Sequence, residues 1–364
     1  MKFLIKLILF ATIVSTYKVA IGQSEYQKIY DNNVVAEYKY SYKGIRDFAN
    51  KNNTYDFMAM GYFMSANNTM YIKTKNRKYL DYNLEIVKPL LENNSYLRNK
   101  WVMNVDRKNA NSIINGEESL VFEGYFFRYL AEFYSIINSN DFYKKHQTSI
   151  LKNLKRSFDK WNGRSRNGYK DQSRLFHERF HIAANWAVVS LYLSKYYHNK
   201  DYVSFYSEFD EQLKKALDVV VKQGYDCYVW NSTYPMLFTS KLKRIKSYDA
   251  LVQDVTHGNH VINYVITSHE LGVGVWTKDD LRKFANTIKY IVWNPKSESF
   301  SDNVDGTNIY GTSLSKTGWR QSDGWMKLIK YDSKLKSIYL NFYKGNKSLV
   351  DSSSLGLQFI SNLL

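Results

Sequence analysis

Residues 118–137 read ESLVFEGYFFRYLAEFYSII. Apolar side chains recur there at spacings of three and four and leave almost no polar stripe, the mark of a helix buried on most of its surface. The stretch 181–197, HIAANWAVVSLYLSKYY, has the same texture. Outward from these two, helical periodicity continues over Asp201–Lys222, Val255–Leu271, Lys278–Val292 and Trp325–Phe342, with a short last helix near Leu355–Leu364. Turn-rich joints such as Asn138-Ser139-Asn140 and His198-Asn199-Lys200 separate several of them. Alternating strand patterns are scarce, and Met70–Thr74 and Tyr225–Trp230 are the best short candidates. This many long helices exceed a four-helix bundle, and no fixed period supports a solenoid. The expected fold is therefore all-α: an (α/α)n toroid, an incomplete barrel with a central cleft and few short strands.

The chain of 364 residues is 44% hydrophobic and 16% aromatic, which excludes disorder. Its single cysteine excludes an internal disulfide and a four-cysteine metal centre. Residues 1–22 place Lys2 and Lys6 before an apolar run from Leu7 to Val14, and Ala20-Ile21-Gly22 supplies small residues for cleavage. They read as a signal peptide, with 23–364 as a single catalytic domain, secreted or periplasmic. No other stretch approaches the roughly 20 apolar residues of a membrane span. Lys and Arg number 51 against 34 Asp and Glu, a net charge of +17, scattered without long basic runs. That excess suggests a polyanionic partner (acidic polysaccharide, an anionic membrane surface or extracellular nucleic acid), and the absence of long basic runs argues against a disordered nucleic-acid tail. The expectation is an acidic polysaccharide substrate, with no nucleic acid, no membrane span, no cofactor, no metal and a monomeric state.

Four constellations carry candidate chemistry. His177-Glu178-Arg179-Phe180-His181 spells HExxH, but Arg179 sits where zinc peptidases pack an uncharged residue, which favours a non-metal role for His181. Gln253 to His260 (QDVTHGNH) opens a helix whose N-terminus Asp254 or Thr256 can cap, placing His257, Asn259 and His260 near its first turn. Phe300 to Trp325 is polar and glycine-punctuated yet holds Tyr310, Trp319, Arg320 and Trp325. That mixture suits a carbohydrate platform, since sugar CH faces stack on aromatic rings and arginine pairs with carboxylates. Glu118, Glu123, Tyr125 and Arg128 fall inside an apolar helix, where charged groups should be paired or face a cavity.

Taken together, these segments resemble exported α/α-toroid polysaccharide lyases that include alginate and glucuronan lyases. The resemblance covers roughly residues 115–335. It rests on Phe122-Glu123-Gly124-Tyr125, the helix of His181–Tyr192, Asp201-Tyr202, Asp254-x-x-His257-Gly258, Val304-Asp305-Gly306 and Asp323-Gly324-Trp325. It implies β-elimination from a uronate, with Tyr310 moving the protons and His257 as neutraliser or partner base. Asn185 and Asn259 would be amide donors and Arg320 would bind a carboxylate, with His260 and His181 as substitutes. Trp319, Glu123 and Tyr125 complete the expected substrate site. The alternative on the same toroid is a glycoside hydrolase using carboxylates from Asp254, Asp305, Asp323 and Glu123, or a non-catalytic acidic-glycan-binding protein.

Overall fold

The computed structural model describes residues 25–51, 53–92, 101–104, 116–166, 175, 179–233, 252–308 and 316–364. The expected signal segment, His177, Glu178 and Tyr310 lie outside the described residues. Helix α1 spans 25–35, followed by α2 (Tyr42–Lys51), α3 (Phe57–Thr74), α4 (Lys78–Glu92), α5 (Leu120–Ile137) and α6 (Lys144–Arg166). Then come α7 (Phe180–Tyr196), α8 (Lys200–Ala216), the hairpin β1 (Leu217–Lys222) and β2 (Tyr225–Trp230), α9 (Val255–Leu271) and α10 (Lys278–Thr287). Two-residue strands β3 (Trp293–Asn294) and β4 (Ser299–Phe300), α11 (Lys334–Asp351) and α12 (Gly356–Leu363) complete the order.

Helix contacts trace a ring. α3 packs on α5, α5 on α7, α7 on α9, and α12 returns to α3, with the 3-10 turn Trp325–Lys330 bridging α9 and α12. Outside it, α4 covers α3, α6 covers α5, α8 covers α7 and α11 covers α12. This is the expected α/α toroid. The two rings differ as their sequences demand: α8 buries only Tyr202, Phe205, Tyr206, Phe209, Asp210 and Leu213, a stripe at three-to-four spacing. Inner α12 buries every residue from Gly356 to Leu363. Sealed side chains such as Leu130, Phe133 and Val189 contribute about 1.5–3 kcal/mol each.

Three boundaries differ from the sequence reading. The helix expected over Asp201–Lys222 stops at Ala216, because the β-branched run Val219-Val220-Val221 pairs with Tyr225–Trp230 instead. Gln223 and Gly224, both at positive φ, form the two-residue turn that suits such a hairpin. Met70–Thr74 is the last turn of α3, closed by Lys75 in the left-handed region. Trp325–Phe342 divides into the 3-10 turn and α11.

Inner helices approach closely at glycines. A Cβ on Gly61 would lie 2.7 Å from the Tyr125 carbonyl oxygen of α5, and one on Gly124 would lie 3.0 Å from Trp186 Nε1 of α7. Because the first obstacle is backbone, Gly61→Ala is expected to spread α3 from α5 and cost about 1–3 kcal/mol in a denaturant titration. An unchanged midpoint would show that the two helices are not held at this distance.

Candidate active site

The N-terminal ends of α3, α5, α7 and α9 converge on one side of the ring, where they open into a cleft of about 1130 Å³. Tyr62 from α3, Tyr125 from α5 and His260 from α9 line it at depth, each nearly closed to solvent. Arg179, the residue preceding α7, and Asp254, Thr256 and His257 from the start of α9 form one wall. Asn303, Thr307, Asn308, Thr317, Trp319 and Arg320 border it, with Ser352 to Leu355 opposite.

Asp254 does two jobs at the head of α9. Its Oδ1 accepts the His257 backbone N–H at 2.9 Å, which caps the helix. Its Oδ2 lies 2.8 Å from His257 Nδ1. Burial acts to raise the carboxyl pKa, but hydrogen bonds from the His257 ring and backbone outweigh it and hold the group below its ordinary value. An ionised carboxylate only accepts, so Nδ1 carries the hydrogen and Nε2 is the basic nitrogen of the neutral ring. The spacing of three serves both tasks: the cap reaches the third N–H, and the side chain on that residue returns to the same carboxylate. The His181 ring lies 4.3 Å from that of His257 at 29°, covering one face.

The segment bordering the cleft is tied down from below. Val255 N–H donates to the Asp302 carbonyl at 2.7 Å and Val304 N–H to the Gln253 carbonyl at 3.0 Å. Buried Asp302 Oδ1 accepts the backbone N–H groups of Lys316, Thr317 and Gly318, which sets Trp319 and Arg320 in place. Beneath the deep residues, Arg128 Nη2 pairs with Asp323 Oδ2, both sealed from solvent. His260 Nδ1 lies 3.1 Å from the same oxygen. That contact is too poorly angled for a hydrogen bond. Burial and the neighbouring Arg128, His181 and His257 charges push the His260 pKa well down, so its ring is neutral and the contact is no ion pair.

The sequence-derived residues separate into groups. His257, Asp254, Arg320, Trp319, Tyr125 and His260 share the cleft, and His181 stacks behind His257. Asn259 does not serve as a substrate donor: its Nδ2 donates to the Thr256 and Arg320 carbonyls while Oδ1 accepts Gly324 N–H, so the amide is a strut. Asn185 is fully buried one turn below His181 and does not line the cleft. Glu123 points into the α5–α6 contact, accepting from Ser157, Lys160 and Trp161, and is structural. Trp325 is core, its Nε1 donating to the Val255 carbonyl. Trp319 is 7% exposed and lies at 15° to Phe342, so little of its ring remains as a platform. Sequence reasoning missed Tyr62 and Met58 on α3 and named Arg179 only as an obstacle to zinc. Among the described residues no group of three or more His, Cys, Asp or Glu is placed to hold a metal ion.

No protein-family model matches this chain, and neither does any curated protein. Among solved structures it is similar to the GH76A α-1,6-mannanase of Salegentibacter sp. HEL1_6. An inactive variant with two aspartates changed to asparagine, in complex with α-1,6-mannotriose, is 9% identical with a TM-score of 0.46, covering 89% of this chain and 99% of that one. The structure of the enzyme itself is 8% identical with a TM-score of 0.43, covering 89% and 99%. At this distance the likeness concerns the course of the chain and not its substrate. The lyase expectation, with its alginate and glucuronan substrates, is corrected: the structures found are of a glycoside hydrolase.

The neutral His260 predicts a pH signature. Its folded pKa lies below the ordinary 6.5, so above that value it contributes nothing. As pH falls below it, the unfolded chain takes up a proton that the folded one refuses, and stability drops by up to about 1.4 kcal/mol per pH unit. His260→Gln should flatten that part of the stability–pH curve. Parallel curves for the two proteins would mean that the ring protonates inside the fold.

Proposed function

We propose that the chain hydrolyses glycosidic bonds in a polysaccharide held across the cleft, with Asp254 and His257 as its proton-handling pair. The observation that carries this reading is the ionised, helix-capping Asp254 bonded to the half-exposed His257 ring in an open cleft lined by tyrosines. Of the carboxylates considered for a hydrolase, Asp254 is the one that lines the cleft. Asp323 is sealed against Arg128, Glu123 belongs to the α5–α6 contact, and Asp305 closes its own exposed turn on Thr307. The usual pair of carboxylates is thus replaced by a carboxylate and an imidazole. Nε2 of His257 takes the proton of the attacking water as its oxygen bonds to the anomeric carbon, and Asp254 stabilises the imidazolium. The glycosidic oxygen departs with a proton from solvent in the open cleft, which the imidazolium then replaces. Tyr62 and Tyr125, with pKa values pushed up by burial, stay protonated and supply hydrogen-bond donors to sugar oxygens.

Arg179 and Arg320 border the cleft, and the helix N-termini around it add positive potential, which favours a glycan bearing anionic groups. The test is incubation with a panel of mannans, glucans and acidic polysaccharides, scoring new reducing ends and ultraviolet absorbance of unsaturated products. Reducing ends without absorbance are expected on at least one substrate, and Asp254→Asn should lower kcat by about 10²–10⁴-fold. The asparagine still caps α9, so fold loss does not explain that drop. Full activity in Asp254→Asn, unsaturated products, or binding with no cleavage would each sink the reading.

A further inference from the structure

A second hollow adjoins the cleft. It encloses about 340 Å³ between the tip of the β1–β2 hairpin, the β3–β4 hairpin and the turn Asn303–Asn308. The turn is a shared wall: Asn303, Thr307 and Asn308 line the cleft, while Gly306 and Asn308 line the hollow. This divide is firmly built. Asn303 N–H donates to the Thr307 carbonyl at 3.0 Å, Gly306 N–H to the Asn303 carbonyl at 3.1 Å, and Asp305 Oδ1 accepts both the N–H and the hydroxyl of Thr307. Gly306 sits at φ +91, and a Cβ there would meet Ile291 at 3.3 Å.

The lining differs in kind from that of the cleft. It contains no charged side chain among the described residues, in a protein carrying +17. Amides come from Gln223 and Asn294, hydroxyls from Ser297 and Ser299, and aromatic surface from Tyr290 and Trp293. Both rings are held before any ligand arrives. Trp293 packs on Phe300 at 4.8 Å, and Tyr290 lies parallel to Tyr225 at 4.5 Å and 5°. Neutral hydrogen-bonding groups around fixed aromatic faces match a hexose, which offers hydroxyls at its edge and CH groups on its face. Pre-set rings reduce the ordering cost of binding.

We propose that this hollow is a second sugar-binding site, taking a neutral hexose unit several positions along the glycan from the bond held in the cleft. The proposal rests on the glycan reading of the cleft and adds a requirement for chain length. A short oligosaccharide occupies the cleft alone, whereas a longer one passes over Asn308 and fills both.

The test uses the Asp254→Asn protein with mannohexaose, cellohexaose and their disaccharides, following the Trp293 indole by NMR and affinity by calorimetry. A hexasaccharide should bind more tightly than its disaccharide and shift the Trp293 signal. Ser299→Phe, which fills the hollow from β4, should cut the hexasaccharide-to-disaccharide affinity ratio by about ten-fold, a loss of about 1.4 kcal/mol. Asn294→Ala, at an exposed position whose side chain accepts only the Lys296 N–H of its own turn, should lower the same ratio. An unchanged ratio in both variants, or no Trp293 shift with any hexasaccharide, overturns the proposal. If wild-type protein cleaves a glycan while the ratio stays constant, the cleft reading survives and the second site fails. If hexasaccharide shifts Trp293 and the ratio responds but no glycan is cleaved, the second site stands and the hydrolase reading falls.

Discussion

Arg128 and Asp323 meet inside the ring, 195 positions apart in the chain and both closed to water. Asp323 is also a junction, since its Oδ1 accepts from Gln358 of α12 and its carbonyl from Asn263 of α9. The guanidinium lies over the rings of Tyr125 and Tyr129, at 5.7 and 4.3 Å. One ion pair therefore fastens α5 to the segment that closes the ring between α9 and α12. Removing either partner would leave a buried charge uncompensated, a loss of about 3–5 kcal/mol. The deep part of the cleft sits directly above this pin, and Asn259 ties the Arg320 end of the border to the same region.

Charge is distributed by depth. At the bottom, the positive charge of Arg128 is matched by Asp323, and His260 is kept neutral by burial and by its cationic neighbour. One turn higher, His257 reaches water with Asp254 behind it. Two imidazoles three residues apart on one helix thus have opposite characters, set by solvent and by which carboxylate geometry each meets. The upper one is suited to exchange a proton and the lower one is not. The hollow beyond Asn308 adds a neutral, aromatic environment to a molecule that is otherwise strongly basic.

Much of this scaffold was legible in the sequence. Helix α9 begins and ends where its apolar spacing places it, Val255 to Leu271, because Asp254 caps one end and Gly272 adopts the left-handed conformation at the other. Helix α3 was invisible. Its end, Met70–Thr74, read as a short strand, and its buried Asn67 and Asn68 form an amide ladder with Asn83 and the Tyr30 hydroxyl that only the fold brings together. Helix α6 is rich in lysine, and its burial of Lys160 between Glu118 and Glu123 depends on partners about 40 residues away. At the site, a cap at Asp254 or Thr256 was readable because capping is local, whereas the second contact of Asp254, to the His257 ring, emerged only from the structure. Tyr62 was not readable, since a cleft tyrosine and a core tyrosine on an inner helix have the same spacing. Asn259 was misread for the complementary reason: nothing local says that a polar residue at a helix start is consumed by a loop 61 positions later.

The account stands on His257 presenting a basic Nε2 because Asp254 holds the hydrogen on Nδ1. Long-range proton–nitrogen correlation spectroscopy of the labelled imidazoles reads this tautomer directly. The expected spectrum of the neutral ring has Nδ1 protonated and Nε2 bare, with the balance shifting in Asp254→Asn. A neutral ring carrying its hydrogen on Nε2, indifferent to residue 254, would contradict the central claim.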